Sequence, residues 1–332
     1  TYRYRPADKS TFMKSNTLRV GIAQYAPKWL DKKGTLEVIE KALLEAADKG
    51  VELLVFGEAF WPGYPFWLAY MDGAAWEVPA NKALHAHYLH NAVDPENGDL
   101  DPIVAQASAL GISVYLGIVE RPQDRGGHSL YCSLAFIDSS RGLCSVHRKL
   151  QPTYDERLTW APGDGNGLQV HPLKGFQVGG LNCWENWMPL VRSSLYAQGE
   201  NIHIADWPGS DFNTRDITRF IARESRSYVI SASALMRRED FPSDTPYLSD
   251  FIEKTPAILA NGGSCIAGPD GEWVLEPQIG IEGVLVAEFS LGKIYEERQN
   301  FDPSGHYSRP DVTRLVLDRS RQTILGFGEA DI

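Results

Sequence analysis

The sequence predicts an α/β fold, and three observations carry that prediction. Short apolar runs of strand character alternate with amphipathic helical stretches, the alternation occurs in two cycles, and no Pro/Ser-rich linker or block of like charge divides the 332 residues. Strands buried on both faces read as near-continuous apolar runs, whereas a helix packed on a sheet repeats its apolar positions every three to four residues.

The first cycle opens with the apolar run LRVGIAQY (18–25), read as a strand. TLEVIEKALLEAADKG (35–50) sets Leu36, Ile39, Leu43 and Ala47 on one helical face before Gly50 as a stop, and VELLVFGE (51–58) reads as a buried strand. Glu58 thus falls at the carboxyl end of a β-α-β unit, where such folds tend to carry functional side chains. A helix over 101–111 and strands over 112–120 and 129–138 follow, the strands pairing as a hairpin. The second cycle has strands at 176–183, 201–208 and 229–235, with helices at 188–200 and 214–228 between them. The segment 238–256, with Pro242, Pro246 and Pro256, reads as a surface excursion that could cover a pocket or touch a neighbour.

Composition narrows the function. With 43% hydrophobic and 23% charged residues the chain has ordinary globular composition, and no apolar run approaches the roughly 18 residues that a membrane span needs. A net charge of −11 repels nucleic acid and anionic membrane surfaces, so neither is expected as a partner. The opening stretch TYRYRPADKSTFMKSNT is polar and has no apolar signal core, which makes the cytoplasm the expected compartment. Cys132, Cys144, Cys183 and Cys265 are scattered without metal-ligand spacing, so four thiols are expected, at most one of them reactive, and no metal.

Three polar stretches interrupt apolar surroundings: VFGEAFWPGYPFW (55–67), HRKLQPTYDERLTW (147–160) and GGLNCWENW (179–187). Each holds one member of a thiol-hydrolase set, with Glu58 as general base, Lys149 as fixed cation and Cys183 as nucleophile. Taken one at a time these residues have ordinary readings. A strand cysteine is usually inert core, a lysine after a strand is usually a surface charge, and Glu156 and Glu185 would ordinarily be solvated or paired with Arg157 and Arg192.

Taken together the stretches are similar to the motifs of the nitrilase family within the carbon-nitrogen hydrolase superfamily. GEAFWPGYPFW resembles the first-glutamate motif, HRKLQPTYDERLTWAPGDG the lysine motif with a second glutamate, and GGLNCWENWMPL the cysteine motif. DPSGHYSRPDV (302–312) resembles a segment near the family's carboxyl end. The resemblance spans about residues 18–316 and implies one domain there, with an N-terminal arm at 1–17 and a tail at 317–332. It implies a four-layer α-β-β-α sandwich, Cys183 as nucleophile, Glu58 as base, Lys149 as catalytic cation, and Glu156 as the group that orients Lys149 or the attacking water.

The activity implied is hydrolysis of an organic nitrile to a carboxylic acid and ammonia through a thioimidate and a thioester on Cys183, with some amide as by-product and no cofactor. A nearby ammonium is expected to keep the thiol deprotonated. Tyr64, Trp184 and Trp207 are the expected substrate contacts within a partly aromatic pocket, and the small-molecule nitrile is the expected ligand. An amidase or N-carbamoyl amino acid hydrolase with the same triad is the alternative, ahead of a cyanide-degrading relative or a non-catalytic scaffold. Family members pair through helix faces, so a homodimer is expected as the minimum assembly, with the helices at 188–200 and 214–228 at its face and extension into spirals limited by the short tail.

Overall fold

The computed structural model describes residues 16–325; residues 1–15 of the expected arm and 326–332 of the expected tail lie outside the described residues. The first half supplies strands β1 (Thr17–Gln24), β2 (Leu53–Val55), β3 (Ser113–Glu120), β4 (Tyr131–Asp138) and β5 (Gly142–Arg148). The second supplies β6 (His171–Leu173), β7 (Phe176–Asn182), β8 (Ile202–Trp207), β9 (Tyr228–Ser233), β10 (Leu235–Arg237), β11 (Ile258–Ala267), β12 (Trp273–Ile279) and β13 (Gly283–Ser290). The helices are α1 (Lys32–Asp48), α2 (Trp67–Tyr70), α3 (Pro79–Asn91), α4 (Asp101–Leu110), α5 (Pro189–Tyr196), α6 (Asp211–Ser225), α7 (Leu248–Lys254) and α8 (Leu291–Glu297).

One sheet runs β13-β1-β2-β3-β4-β5 and the other β10-β11-β9-β8-β7-β6, with β12 added on β11. Each is built round a parallel triplet, β1-β2-β3 in the first and β7-β8-β9 in the second, flanked by antiparallel strands. The two cycles seen in the sequence are therefore the two sheets. Leu18, Val20, Ile22 and Phe136 of the first sheet meet Val178, Ile202, Ile204 and Ile230 of the second in one apolar layer. On the outer face of the first sheet, Leu54, Val114 and Leu116 pack under Ile39 and Leu43 of α1 and Ile103 of α4. On the outer face of the second, Ala205, Trp207 and Val229 pack under Ile217 and Ile221 of α6. The layers are helix, sheet, sheet and helix, as expected.

The elements differ from expectation where local chemistry intervenes. Helix α6 begins at Asp211 because Ser210 accepts the Phe212 N–H at its N-terminus, and it ends where Arg226 turns left-handed at φ 54°. Helix α5 stops at Tyr196, ahead of Gly199, which is left-handed at φ 86°. Strand β11 contains Gly262 and Gly263, and such a glycine pair breaks the apolar alternation by which strands are recognised. No helix among the described residues is long and apolar enough to cross a membrane.

The stretch 238–256 is more than an excursion. It contains α7, whose Phe251 is fully buried and stacks on Trp29 with ring centroids 4.6 Å apart, while Phe241 lies 4.7 Å from the same indole. Prolines punctuate it, but the phenylalanines between them carry the segment into an aromatic core. The described part of the tail is also held: Arg321 donates to Asp164 Oδ1 at 3.1 Å, and Gln322 N to Asp164 Oδ2 at 2.9 Å. Removing a fully buried phenylalanine ring costs about 3–5 kcal/mol, so Phe251→Ala is expected to lower unfolding stability by that amount in a denaturant titration. A loss below about 1 kcal/mol would return the segment to the surface.

Candidate active site

Glu58 lies three residues beyond β2, Lys149 directly follows β5, and Cys183 directly follows β7. Strands β2, β3 and β5 run in one direction, so the first two groups leave the same edge of their sheet, and stacking the sheets brings Cys183 to that edge. The approach is close. A Cβ on Gly57 would sit 2.7 Å from Trp207 O and 3.0 Å from Ala234 N, so only glycine lets the Glu58 N–H reach Trp207 O at 3.1 Å across the sandwich.

Two short 3₁₀ turns present the other groups, and they share one construction. In the turn Tyr154–Leu158, the Glu156 carboxylate reaches back to the Thr153 N–H at 2.6 Å; in the turn Cys183–Trp187, Glu185 reaches back to the Asn182 N–H at 2.8 Å. The first residue of each turn, Tyr154 and Cys183, is left-handed, at φ 45° and 47°. Such backbone is unfavourable for a side chain with a Cβ and persists where the surroundings enforce it. Glu185 also accepts from Leu150 N at 2.6 Å and pairs with His147 Nε2 at 3.0 Å, which ties the cysteine turn to the lysine strand.

At the centre, Lys149 Nζ donates to Glu58 Oε1 at 2.6 Å and to Glu156 Oε2 at 2.7 Å, and all three side chains are buried. Tyr64 Oη donates to the other oxygen of Glu156 at 2.9 Å, and Cys132 Sγ lies 3.4 Å from Glu58 Oε1. Cys183 is 2% exposed, and its Sγ lies within 4.8 Å of a carboxylate oxygen of Glu58 and of Glu156. Glu58 Oε2 is buried with no hydrogen-bond partner among the described residues.

Burial alone would lower the Lys149 pKa, but the negative charge available on Cys183, Glu58 and Glu156 holds it well above the usual lysine value. Burial pushes the Glu58 carboxyl up to about 7, against the pull of Lys149. Burial, followed by the charge of Glu58, pushes the Cys183 thiol well above the ordinary cysteine value, and Lys149 only partly opposes it. The expected resting thiolate is therefore not what this arrangement favours, because burial and the charge of Glu58 push the thiol up and Lys149 only partly opposes them. The oxygen and sulfur spacing of Glu58, Glu156 and Cys183 would suit a metal ion, but the Lys149 ammonium already bonds both carboxylates and supplies the positive charge there.

The structure thus brings Glu58, Lys149, Glu156 and Cys183 together, and adds Tyr64 through Glu156. Trp207 is fully buried in the same outer cluster as Cys183, with its indole N–H donated to Ser231 Oγ at 3.3 Å. Trp184 is 45% exposed and stacks on Trp187. The ordinary pairings do not form: Arg192 binds Glu224, Glu185 binds His147, and the Arg157 side chain donates to Pro152 O. Sequence reasoning missed Cys132, Asn182 and Asp206 at the cluster. It also missed a legible signal, because T-Y-D-E and N-C-W-E share the spacing by which a carboxylate caps the turn that it belongs to.

The family model for carbon-nitrogen hydrolases matches residues 19–299. This chain belongs to that family. Nitrilase 2 of an unknown prokaryotic organism is 35% identical over 314 residues, covering 94% of this chain and 96% of the relative. A bifunctional nitrilase/nitrile hydratase of Lupinus angustifolius is 32% identical over 317 residues, covering 95% and 89%. Within the superfamily the chain is a member of the nitrilase family, and it is an enzyme. The solved carbon-nitrogen hydrolase of Helicobacter pylori G27 superposes with a TM-score of 0.66 at 20% identity, over 90% of this chain and 97% of that one, so the fold is shared.

Burial sorts the thiols of this carbon-nitrogen hydrolase by reagent. Cys132, Cys183 and Cys265 are buried and Cys144 is half-buried. A bulky maleimide is expected to label Cys144 first in the native enzyme, and a small amide-like electrophile to label Cys183. Intact mass with peptide mapping checks this; faster maleimide attack at Cys183 than at Cys144 would mean a far more open site.

Proposed function

We propose that this enzyme hydrolyses an organic nitrile to the carboxylic acid and ammonia, with Cys183 as nucleophile, Glu58 as base and Lys149 as the fixed cation. The observation that carries this reading is a buried thiol beside a carboxylate held near neutrality and an ammonium held charged. A nitrile carbon is a weak electrophile that calls for a sulfur nucleophile, and its nitrogen needs protons returned to it. The names of the relatives agree, and that of the Lupinus relative supports an amide exit beside the acid.

Glu58 takes the Cys183 proton as sulfur attacks the nitrile carbon, then returns it to nitrogen, leaving a thioimidate and a free carboxylate. Water loses a proton to Glu58 as its oxygen adds to that carbon, and the proton passes to nitrogen. Lys149 and the backbone N–H of Trp184 stabilise the charge that develops at the reacting carbon's substituents. Loss of ammonia leaves a thioester, and a second water activated by Glu58 releases the acid and the thiol. Glu156 holds Lys149 in place, Tyr64 holds Glu156 and walls the pocket, and Trp207 backs the cysteine turn.

Cys183→Ala is expected to abolish ammonia release while the folded state survives, since it deletes the covalent step and little volume. Glu58→Gln and Lys149→Ala are each expected to lower the rate by about 100-fold or more, and Glu156→Gln to be severe. Ammonia, acid and amide are measured on matched nitriles and amides; turnover of amides alone would favour an amidase. Because Glu58 must be ionised to act and its carboxyl is held up to about 7, kcat/KM should fall as pH drops through about 7. An acid limb near the ordinary glutamate value would remove Glu58 as the base.

The enzyme is further proposed to act as a homodimer through α5 and α6. Leu190 is 70% and Phe212 73% exposed there, beside half-exposed Trp187 and Phe220, and burying such residues against a second copy removes apolar area from water. Light scattering is expected to give a dimer; a fully active monomer at nanomolar concentration would refute it.

A further inference from the structure

Strand β8 ends in a carboxyl group that the mechanism above does not use. Ile202 and Ile204 of β8 face the layer between the sheets while Ala205 and Trp207 face α6, so alternation sends Asp206 inward. Asp206 is fully buried, and among the described residues neither of its oxygens has a hydrogen-bond partner. It pairs in register with Asn182, the residue before Cys183, and with Ala232. Asn182 Oδ1 lies 3.8 Å from Cys132 Sγ, which in turn lies 3.4 Å from Glu58 Oε1. Glu58 is anchored to the residue after Asp206 through its bond to Trp207 O, and its own Oε2 is also buried without a partner. Two buried carboxyl groups, each with oxygens that no described residue bonds, therefore sit on adjoining backbone beside the cluster.

We propose that Asp206 is a neutral carboxyl that keeps a second proton for Glu58, and that this proton directs the reaction to acid and ammonia over amide. The charged and titratable groups that face it are Glu58, Lys149, Glu185, Cys183 and Cys132. Burial first, and then the charge of Glu58, push its carboxyl well above the ordinary aspartate value. A buried carboxyl without a partner stays protonated, because ionising it in a low-dielectric interior beside other anions is costly.

The step at issue follows addition of the first water, and it rests on the nitrile reading above. The intermediate carries hydroxyl, amine and the Cys183 sulfur on one carbon, and Glu58 has given its proton away. If nitrogen stays unprotonated, the C–S bond breaks and amide leaves. With Asp206, its proton passes to Glu58 and on to nitrogen, the C–N bond breaks, and ammonia departs. The hydroxyl proton then returns through Glu58 to Asp206 as the thioester carbonyl forms, so both carboxyls end as they began. Asp206 acts through Glu58 and is a positioning residue for its proton.

The test is the amide-to-acid ratio of Asp206→Asn and Asp206→Ser against wild type on one nitrile. A ratio does not depend on how much of a variant folds, and it is expected to rise by about tenfold or more. An unchanged ratio in an active variant overturns the proposal. Should neither variant be soluble, isotope-edited infrared on wild type with carbon-13 aspartate reads the same proton. A protonated carboxyl band at neutral pH is expected, with the amide share rising as the band is lost at higher pH. Absence of the band, or its loss without a change in product, overturns the proposal. Wild type that consumes no nitrile refutes the nitrile reading and the relay with it, whereas active wild type with unaltered partition refutes the relay alone.

Discussion

The ammonium of Lys149, held between the carboxylates of Glu58 and Glu156, is the constraint on which the rest of this structure depends. A buried cation without partners would cost several kcal/mol, and with two good ones it becomes a fixed point. The two acids meet it on different terms. Glu156 spends both oxygens, on Lys149, Tyr64 and the Thr153 N–H, and is locked as an acceptor. Glu58 keeps one oxygen bare, and only it can take up a proton without breaking an existing bond. The difference between the two acids is set by hydrogen-bond count, since both are almost fully buried.

The same economy governs the backbone. Two turns from different sheets each open with a left-handed residue and close with a glutamate that reaches back three positions. One device positions Glu156, and the other positions the cysteine. Because Glu185 also grips Leu150 N and His147, the second turn cannot shift without disturbing the strand that carries the lysine. Cys183 and Lys149 are thus coupled through a glutamate that bonds neither side chain.

The parallel cores of both sheets were legible because LRVGIAQY, VELLVFGE and NIHIADWP are apolar through strands buried on two faces. The candidate residues Glu58, Lys149 and Cys183 stood out in the sequence because each sits at a strand end inside a long motif. What could not be read depended on contacts distant in sequence. The segment 238–256 looks like loop until Phe251 finds Trp29, more than two hundred residues away. Asp206 hides in an apolar strand, where only the stacking of the second sheet reveals that it is buried and not exposed to solvent. Trp184 and Trp207 look alike in sequence, yet Trp184 sits in a 3₁₀ turn at the surface, whereas Trp207 ends a strand and packs under α6 in the core.

The burial of Cys183, which pushes its thiol up, has a consequence for the lifetime of the molecule. Peroxide oxidises thiolates far faster than thiols, and reaches exposed sulfur far faster than buried sulfur. A buried cysteine whose thiol is held up in this way offers little to such oxidants. Aerobic storage should therefore spend the half-buried Cys144 first and leave the sulfur at the strand end reduced.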